Sequence, residues 1–139
     1  MISLNYDDSE VTAYLSEAIK RSQNLTPALN EIGQTMLAST DQRFETETDP
    51  YGVRWKPNTP AVQRYKQSRG FIMKVLQRRG MLRNSINYKV TNNSVSVGTN
   101  VSYGVYHQLG NNRREFLGVS ATDKEDIISI LAEYLTESE

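Results

Sequence analysis

A single α+β domain is predicted over residues 1–139, with a small antiparallel sheet packed against about three main helices. Three observations predict it. Apolar residues recur at i, i+3, i+4 and i+7 along residues 9–23 and 26–45, and again near the C-terminus, the spacing of helices with one buried face. Residues 86–98 alternate apolar and polar around an Asn-rich turn, which reads as a β-hairpin. No repeat, low-complexity tract or linker divides the chain, and a domain near this length can bury roughly 68–70% of its unfolded surface.

The elements follow in order. Ile2, Leu4 and Tyr6 alternate with Ser3 and Asn5, giving a short strand over 2–6. Asp7, Asp8 and Ser9 offer N-caps to a helix over 9–23, whose apolar stripe is Val11, Tyr14, Leu15, Ala18 and Ile19. Thr26 followed by Pro27 marks a second helix start, with proline at the first helical position. Leu29, Ile32, Met36, Leu37 and Phe44 carry that helix to about residue 45. Gly33 inside it costs about 1 kcal/mol relative to Ala, so either close packing there or simple tolerance explains it. Asp49-Pro50-Tyr51-Gly52 is a turn by composition, and the chain stays irregular through Trp55 and Pro57. Thr59-Pro60 repeats the cap-then-proline start for a short helix over 60–67. Residues 72–79 read equally as helix or loop. Gly80 breaks the pattern before one helical turn through Met81, Leu82 and Ser85. Ile86, Tyr88 and Val90, then Val95 and Val97, alternate on the two arms of the hairpin. Tyr103, Tyr106 and His107 place a short helix that Gly110 closes. Residues 114–119 read as another strand, so the expected sheet comprises 2–6, 86–91, 94–99 and 114–119. Ser120 with Asp123 resembles a capping box, opening a last helix with Ile127, Ile130, Leu131, Tyr134 and Leu135 inside.

Composition narrows the function. The chain has no Cys and one His, which removes disulfides, thiol nucleophiles and Cys-ligated metals and leaves no multi-histidine zinc site within one copy. No apolar run approaches the length of a membrane span, and the first residues, MISLNYDDSE, carry no secretory pattern. No cofactor is expected. The 16 basic and 16 acidic residues balance, yet they are segregated. Residues 1–49 carry nine acids against three bases, and residues 115–139 seven acids against one, each a net of −6. The 65 residues between, 50–114, carry twelve bases and no acid.

Five segments, in order, resemble the phage virion morphogenesis proteins, the tail completion proteins of Mu-like and P2-like phages. Phe44 followed by Asp49-Pro50-Tyr51-Gly52-Val53-Arg54-Trp55-Lys56-Pro57 is similar to that family's "DP-x-G-x-x-W-x-P". Leu76 and Gly80-Met81-Leu82-Arg83-Asn84-Ser85-Ile86 resemble "L…G-x-L-x-x-S-I". Val95-Ser96-Val97-Gly98 and then Tyr103-Gly104-Val105-Tyr106-His107-Gln108-Leu109-Gly110 resemble "v-x-v-G…Y-A-x-x-H-Q-x-G". Arg114-Glu115-Phe116-Leu117-Gly118-Val119-Ser120 resembles "R-P-F-L-G-x-S", with Asp123 where an acid follows. Gly104 and Glu115 depart from the usual Ala and Pro, and only three residues separate Gly110 from Arg114. The resemblance implies a structural protein of the virion with no enzymatic activity, acting where tail meets head. Its partners would be tail and neck proteins, and further copies of itself in a ring. It would reside at the tail end of the virion, and in the host cytoplasm during assembly.

Several residues have more than one role open to them. Trp55 can anchor its loop on the domain's own core or contact a neighbouring subunit. Gly52, Gly80, Gly98 and Gly110 are expected where a side chain would obstruct the backbone. His107 beside Gln108 invites a catalytic reading, but no Cys or second His accompanies it, and Ser102 and Ser120 lack the nucleophile-elbow context. A hydrogen-bonding structural histidine is expected instead. Arg114 is expected to form a structural ion pair. The remaining basic cluster, with Arg78, Arg79, Arg83 and Arg113 at its centre, has three readings. It can meet the acidic flank of another copy, face DNA phosphates without reading sequence, or be neutralised by the chain's own acidic helices. The rival class is a basic nucleic-acid-binding module built on residues 50–114, although Tyr65, Phe71 and Tyr88 form no recognised stacking motif.

Overall fold

A computed structural model describes residues 6–21, 24–77, 80–91, 93–110 and 113–137. Residues 2–5 of the expected first strand, and Arg78 and Arg79, lie outside these. Tyr6 is in no strand.

Helix α1 (Ser9–Arg21) starts where the Asp8 carboxylate accepts the backbone N–H groups of Glu10 and Val11, at 3.0 and 3.1 Å. Helix α2 (Thr26–Thr46) opens differently from expectation. Thr26 is its first helical residue rather than its cap, and Leu25, in the capping position, makes no side-chain bond. Asn24 Oδ1 accepts the Thr26 N–H instead, while Pro27 occupies the first turn, where no N–H partner is needed. Helix α3 (Pro60–Arg69) does have Thr59 as its cap, bonded to the Val62 N–H. One short turn, α4 (Met81–Ser85), leads into strands β1 (Asn87–Thr91) and β2 (Ser94–Gly98). Helices α5 (Gly104–Leu109) and α6 (Ala121–Glu137) complete the described chain. No helix among these residues is long and apolar enough to cross a membrane.

The fold is α+β, and among the described residues its sheet is the β1–β2 hairpin, paired antiparallel from Asn87 opposite Gly98 to Thr91 opposite Ser94. Residues 114–119, expected as a strand, form none: no strand lies beside them, and side chains occupy their backbone groups as described below. The hairpin's alternation is as read. Tyr88, Val90, Val95 and Val97 turn toward the helices, and Asn87, Lys89, Ser94 and Ser96 face solvent.

Two clusters of buried side chains form the core. The first joins α1, the N-terminal half of α2 and α6 through Ala18, Leu29, Ile32, Met36, Ile127 and Leu131, with the hairpin valines packed against it. Each large apolar side chain so buried contributes roughly 1.5–3 kcal/mol. At its edge Lys124 of α6 pairs with Asp8 and Glu10, at 3.0 and 3.4 Å. The second cluster holds Phe44, Trp55, Val75, Leu82, Phe116 and Leu117. Helix α2 runs through both.

Gly33 lets the hairpin lie on α2. A methyl group there would stand 2.3–2.7 Å from the Tyr88 ring, so close packing, not tolerance, explains the glycine. Gly33→Ala should therefore destabilise the domain by about 1–2 kcal/mol, overpacking outweighing the gain in helix propensity. Urea denaturation measures this, and Tyr88→Ala in the same chain should recover part of the loss. A stabilised Gly33→Ala chain would refute the contact.

Candidate functional site

The resemblance-bearing segments converge on one interior knot at the C-terminal end of α2. Phe44 is fully buried; its ring stands edge-on to Trp55 at 5.3 Å and tilted against Phe116 at 5.6 Å. The turn after α2 delivers Trp55. Glu47 adopts a left-handed conformation (φ 57°) that ends the helix, and Asp49 Oδ1 then accepts the N–H groups of Tyr51 and Val53. Gly52 sits at φ +84°, where an L side chain is strained. Thr48 and Arg54 bridge the base of the turn, and Trp55 Nε1 donates to the Glu115 carbonyl at 2.8 Å. The Trp55 ring is 5% exposed within its own chain and holds its loop on the core. Pro50 seats against Gly118, where a methyl group would meet the proline ring at 2.6 Å.

Residues 114–117 replace strand pairing with side-chain clamps. Gln108, 2% exposed, accepts the N–H groups of Phe116 and Leu117 through Oε1 and donates from Nε2 to the Leu117 carbonyl, each at 3.0 Å. Its carboxamide thus does for this segment what a neighbouring strand would do. The Arg114 N–H bonds the His107 carbonyl, and Arg43 donates to the Phe116 carbonyl at 2.9 Å. The apolar residues of this segment read as a strand because they report burial, not the identity of the hydrogen-bond partner.

Arg43 is the residue that composition hides. Its guanidinium also reaches Asp123 at 2.5 Å and Ser39 at 3.2 Å, with only 6% and 4% of the Arg43 and Asp123 side chains exposed. Burial lowers the Arg43 pKa and the Asp123 charge opposes that, leaving the guanidinium charged. Asp123 also accepts the Ser120 N–H, and Ser120 Oγ accepts the Asp123 N–H, which is the expected capping box. One signal was available: Arg43 continues the buried face that runs through Met36 and Thr40.

The other motif residues are structural as well. Leu82 is 1% exposed, and Ser85 Oγ bonds both the Leu82 carbonyl and the Thr99 hydroxyl. Gly80 precedes α4 at φ +74°, as expected of a position that disfavours a side chain. Gly98 is buried at the end of β2 opposite Asn87. Tyr103 faces His107 edge-on at 6.1 Å. Among the described residues Arg114 makes no close ion pair, although the Glu47 charge acts on it; its guanidinium donates to the carbonyls of Lys56 and Pro57.

Much of the basic block is held within the chain. Arg83 bonds Asp41 and Glu45 on α2 and also Gln77. Those bonds hold both carboxyls below their ordinary pKa and raise that of the guanidinium. Lys74 reaches the Glu45 side chain at 3.6 Å, and Lys66, 5% exposed, donates to the Lys74 carbonyl. Arg113, by contrast, is largely exposed, 3.9 Å from Glu115. Between α3, α4 and α5 lies a surface cavity of about 440 Å³. Asn58, Lys66, His107 and Arg114 form its polar wall, and Leu76, Met81 and Tyr103 the apolar one. Burial, and secondarily the Arg114 charge, lower the His107 pKa, so this histidine is neutral at pH 7.

The profile of the phage virion morphogenesis family matches residues 6–136. The chain belongs to that family. It is 28% identical over 112 residues to Mu-like prophage FluMu G protein 1 of Haemophilus influenzae, with 77% of each chain covered. No solved structure matches it. The protein is thus a phage virion morphogenesis protein; of its motif residues, Phe44, Trp55, Leu82, Phe116 and Leu117 build the second core and Tyr103, His107 and Arg114 line the surface cavity.

Two measurements test this reading of the motifs. Gln108→Leu orphans three buried backbone groups and should cost about 3 kcal/mol in chemical denaturation; a loss below about 1 kcal/mol would show that water replaces the amide. His107 titrates below its ordinary value of 6.5 when folded. The unfolded chain then binds the proton more readily, so stability is full above that pH and falls as pH drops through it. His107→Gln should flatten this part of the stability profile; an unchanged slope would assign it to other groups.

Proposed function

We propose that the chain is a tail completion or head–tail joining protein, working as a homo-oligomer, with a ring as the arrangement, at the tail end of the virion. The observation that carries this is the family match across nearly the whole chain, with a Mu-like prophage protein among its relatives. The placement of the motif residues supports it. Asp49, Pro50, Gly52, Trp55, Gln108, Phe116, Leu117 and Gly118 set the shape of the domain, leaving contacts with neighbours to its surface. The mode of action is shape and charge complementarity, without catalysis and without a cofactor. Tail and neck proteins are the proposed partners, met in the host cytoplasm during assembly. Arg113 remains a candidate contact, whereas the Arg83 charge is taken up by Asp41 and Glu45.

The nucleic-acid reading has less support. Lys66, Lys74, Arg83 and Arg114 bond carboxylates or carbonyls of their own chain, which breaks up any continuous track for phosphates.

The test is genetic. In a phage or inducible prophage carrying this gene, its disruption should leave filled heads and separate tails visible by electron microscopy, and the wild-type chain supplied in trans should restore joined particles. Infectious particles without the chain, or an absence of tails altogether, would overturn the proposal.

A further inference from the structure

Helix α3 has too little buried surface to be at home on its own domain. Of its ten residues only Lys66 is buried, and the rest, Arg64 and Arg69 included, are exposed. A helix this short is marginal in water, and its own neighbours cover little of it. Met81 and Tyr103, which line the cavity, are 57% and 44% exposed, and Val62 and Tyr65 on α3 and Ile72 and Met73 after it are 40–47% exposed. Among the described residues on its wall, the cavity has cationic groups and no carboxylate. Asn58 Nδ2, inside that wall, is buried without a hydrogen-bond partner among the described residues.

The opposite charge is on the other core. Glu125, Asp126 and Glu133 are exposed on α6, and none of the ion pairs described above engages them. Helix α6 belongs to the first cluster, whereas the cavity is built by the elements around the second, so the two surfaces are separate parts of one chain.

From these observations we infer that the α3 cavity is a socket for the acidic α6 face of a second copy of this chain. Carboxylates of the incoming copy meet the exposed guanidinium groups of Arg64 and Arg69 on α3, and the exposed Met81 and Tyr103 side chains of the cavity pack beside them. Because the two surfaces differ, the contact is head-to-tail; such contacts close into rings when the rotation between copies permits and otherwise extend. This rests on the proposed self-assembly and adds the surfaces that carry it.

Sedimentation equilibrium of the purified chain, across concentration at low and high salt, tests the contact. Wild type should associate at low salt and dissociate at high salt. R64E/R69E and E125K/D126K/E133K should each weaken association at least about tenfold, and an equimolar mixture should restore it, because each variant keeps the surface the other needs. Asn58→Asp, which places a carboxylate in the socket, should weaken association similarly, with an unchanged circular dichroism spectrum. A wild-type chain that stays monomeric at low salt overturns the inference, as do variants that associate normally or a mixture that fails to recover. Association indifferent to Asn58→Asp overturns the cavity as its seat. Supplying the same variants to the gene-disrupted phage separates the two proposals. Joined particles formed by variants that do not associate refute this contact and leave the tail role standing. Wild-type association without any effect of gene loss on joining refutes the tail role and leaves the contact standing.

Discussion

Arg43 and Asp123 lie 80 residues apart in sequence and meet inside the domain, and most of the second core is arranged around that meeting. The guanidinium fixes α2 to α6 through the carboxylate and to the 114–117 segment through the Phe116 carbonyl. Asp123 in turn caps its own helix. Pairs of this kind add little net stability relative to well-packed apolar residues, but losing one partner alone costs about 3–5 kcal/mol, because the other charge stays buried. The pair therefore specifies which parts of the chain lie together more than it strengthens them.

With Arg43 in place, residues 114–117 can run through the interior without a strand beside them. Four side-chain donors and acceptors, from Arg43, Trp55 and Gln108, take up their backbone groups. Phe116 and Leu117 are thereby presented to Phe44 and Trp55, and Gly118 to Pro50. The family's motif residues look like an active site in sequence, with His, Gln and Arg close together, yet the Gln108 amide and the Arg114 guanidinium bind backbone. A virion morphogenesis protein has reason to be built this way. Its neighbours bind to a shape, and a shape is fixed by the interior.

The charge pattern has the same logic at the surface. A chain with zero net charge and three alternating blocks can cancel charge within one copy or between copies. The structure does the first for Arg83 and Lys74, whose bonds to α2 draw on Asp41 and Glu45. It leaves Arg64 and Arg69 on α3 and the exposed acids of α6 on different cores. Exposed pairs are weak and screened by salt, so such surfaces suit an assembly that forms in order and on contact rather than one fixed in advance.

The sequence by itself determined the six helices, the hairpin and its inward face, the capping box at Ser120 and Asp123, and the α+β class. Each of these depends on residues within a few positions of one another, through periodicity, capping or turn chemistry. It also pointed to the family, because motif spacing survives in sequence. Tertiary structure alone decided which partners the buried polar groups found. Arg43 counted only as a base in an acidic block, Gln108 only as a polar residue in a motif, and residues 114–119 only as another strand. The reason is that an unpaired buried donor or acceptor is costly but indifferent to whether backbone or side chain relieves it. Only the three-dimensional meeting of distant segments selects one.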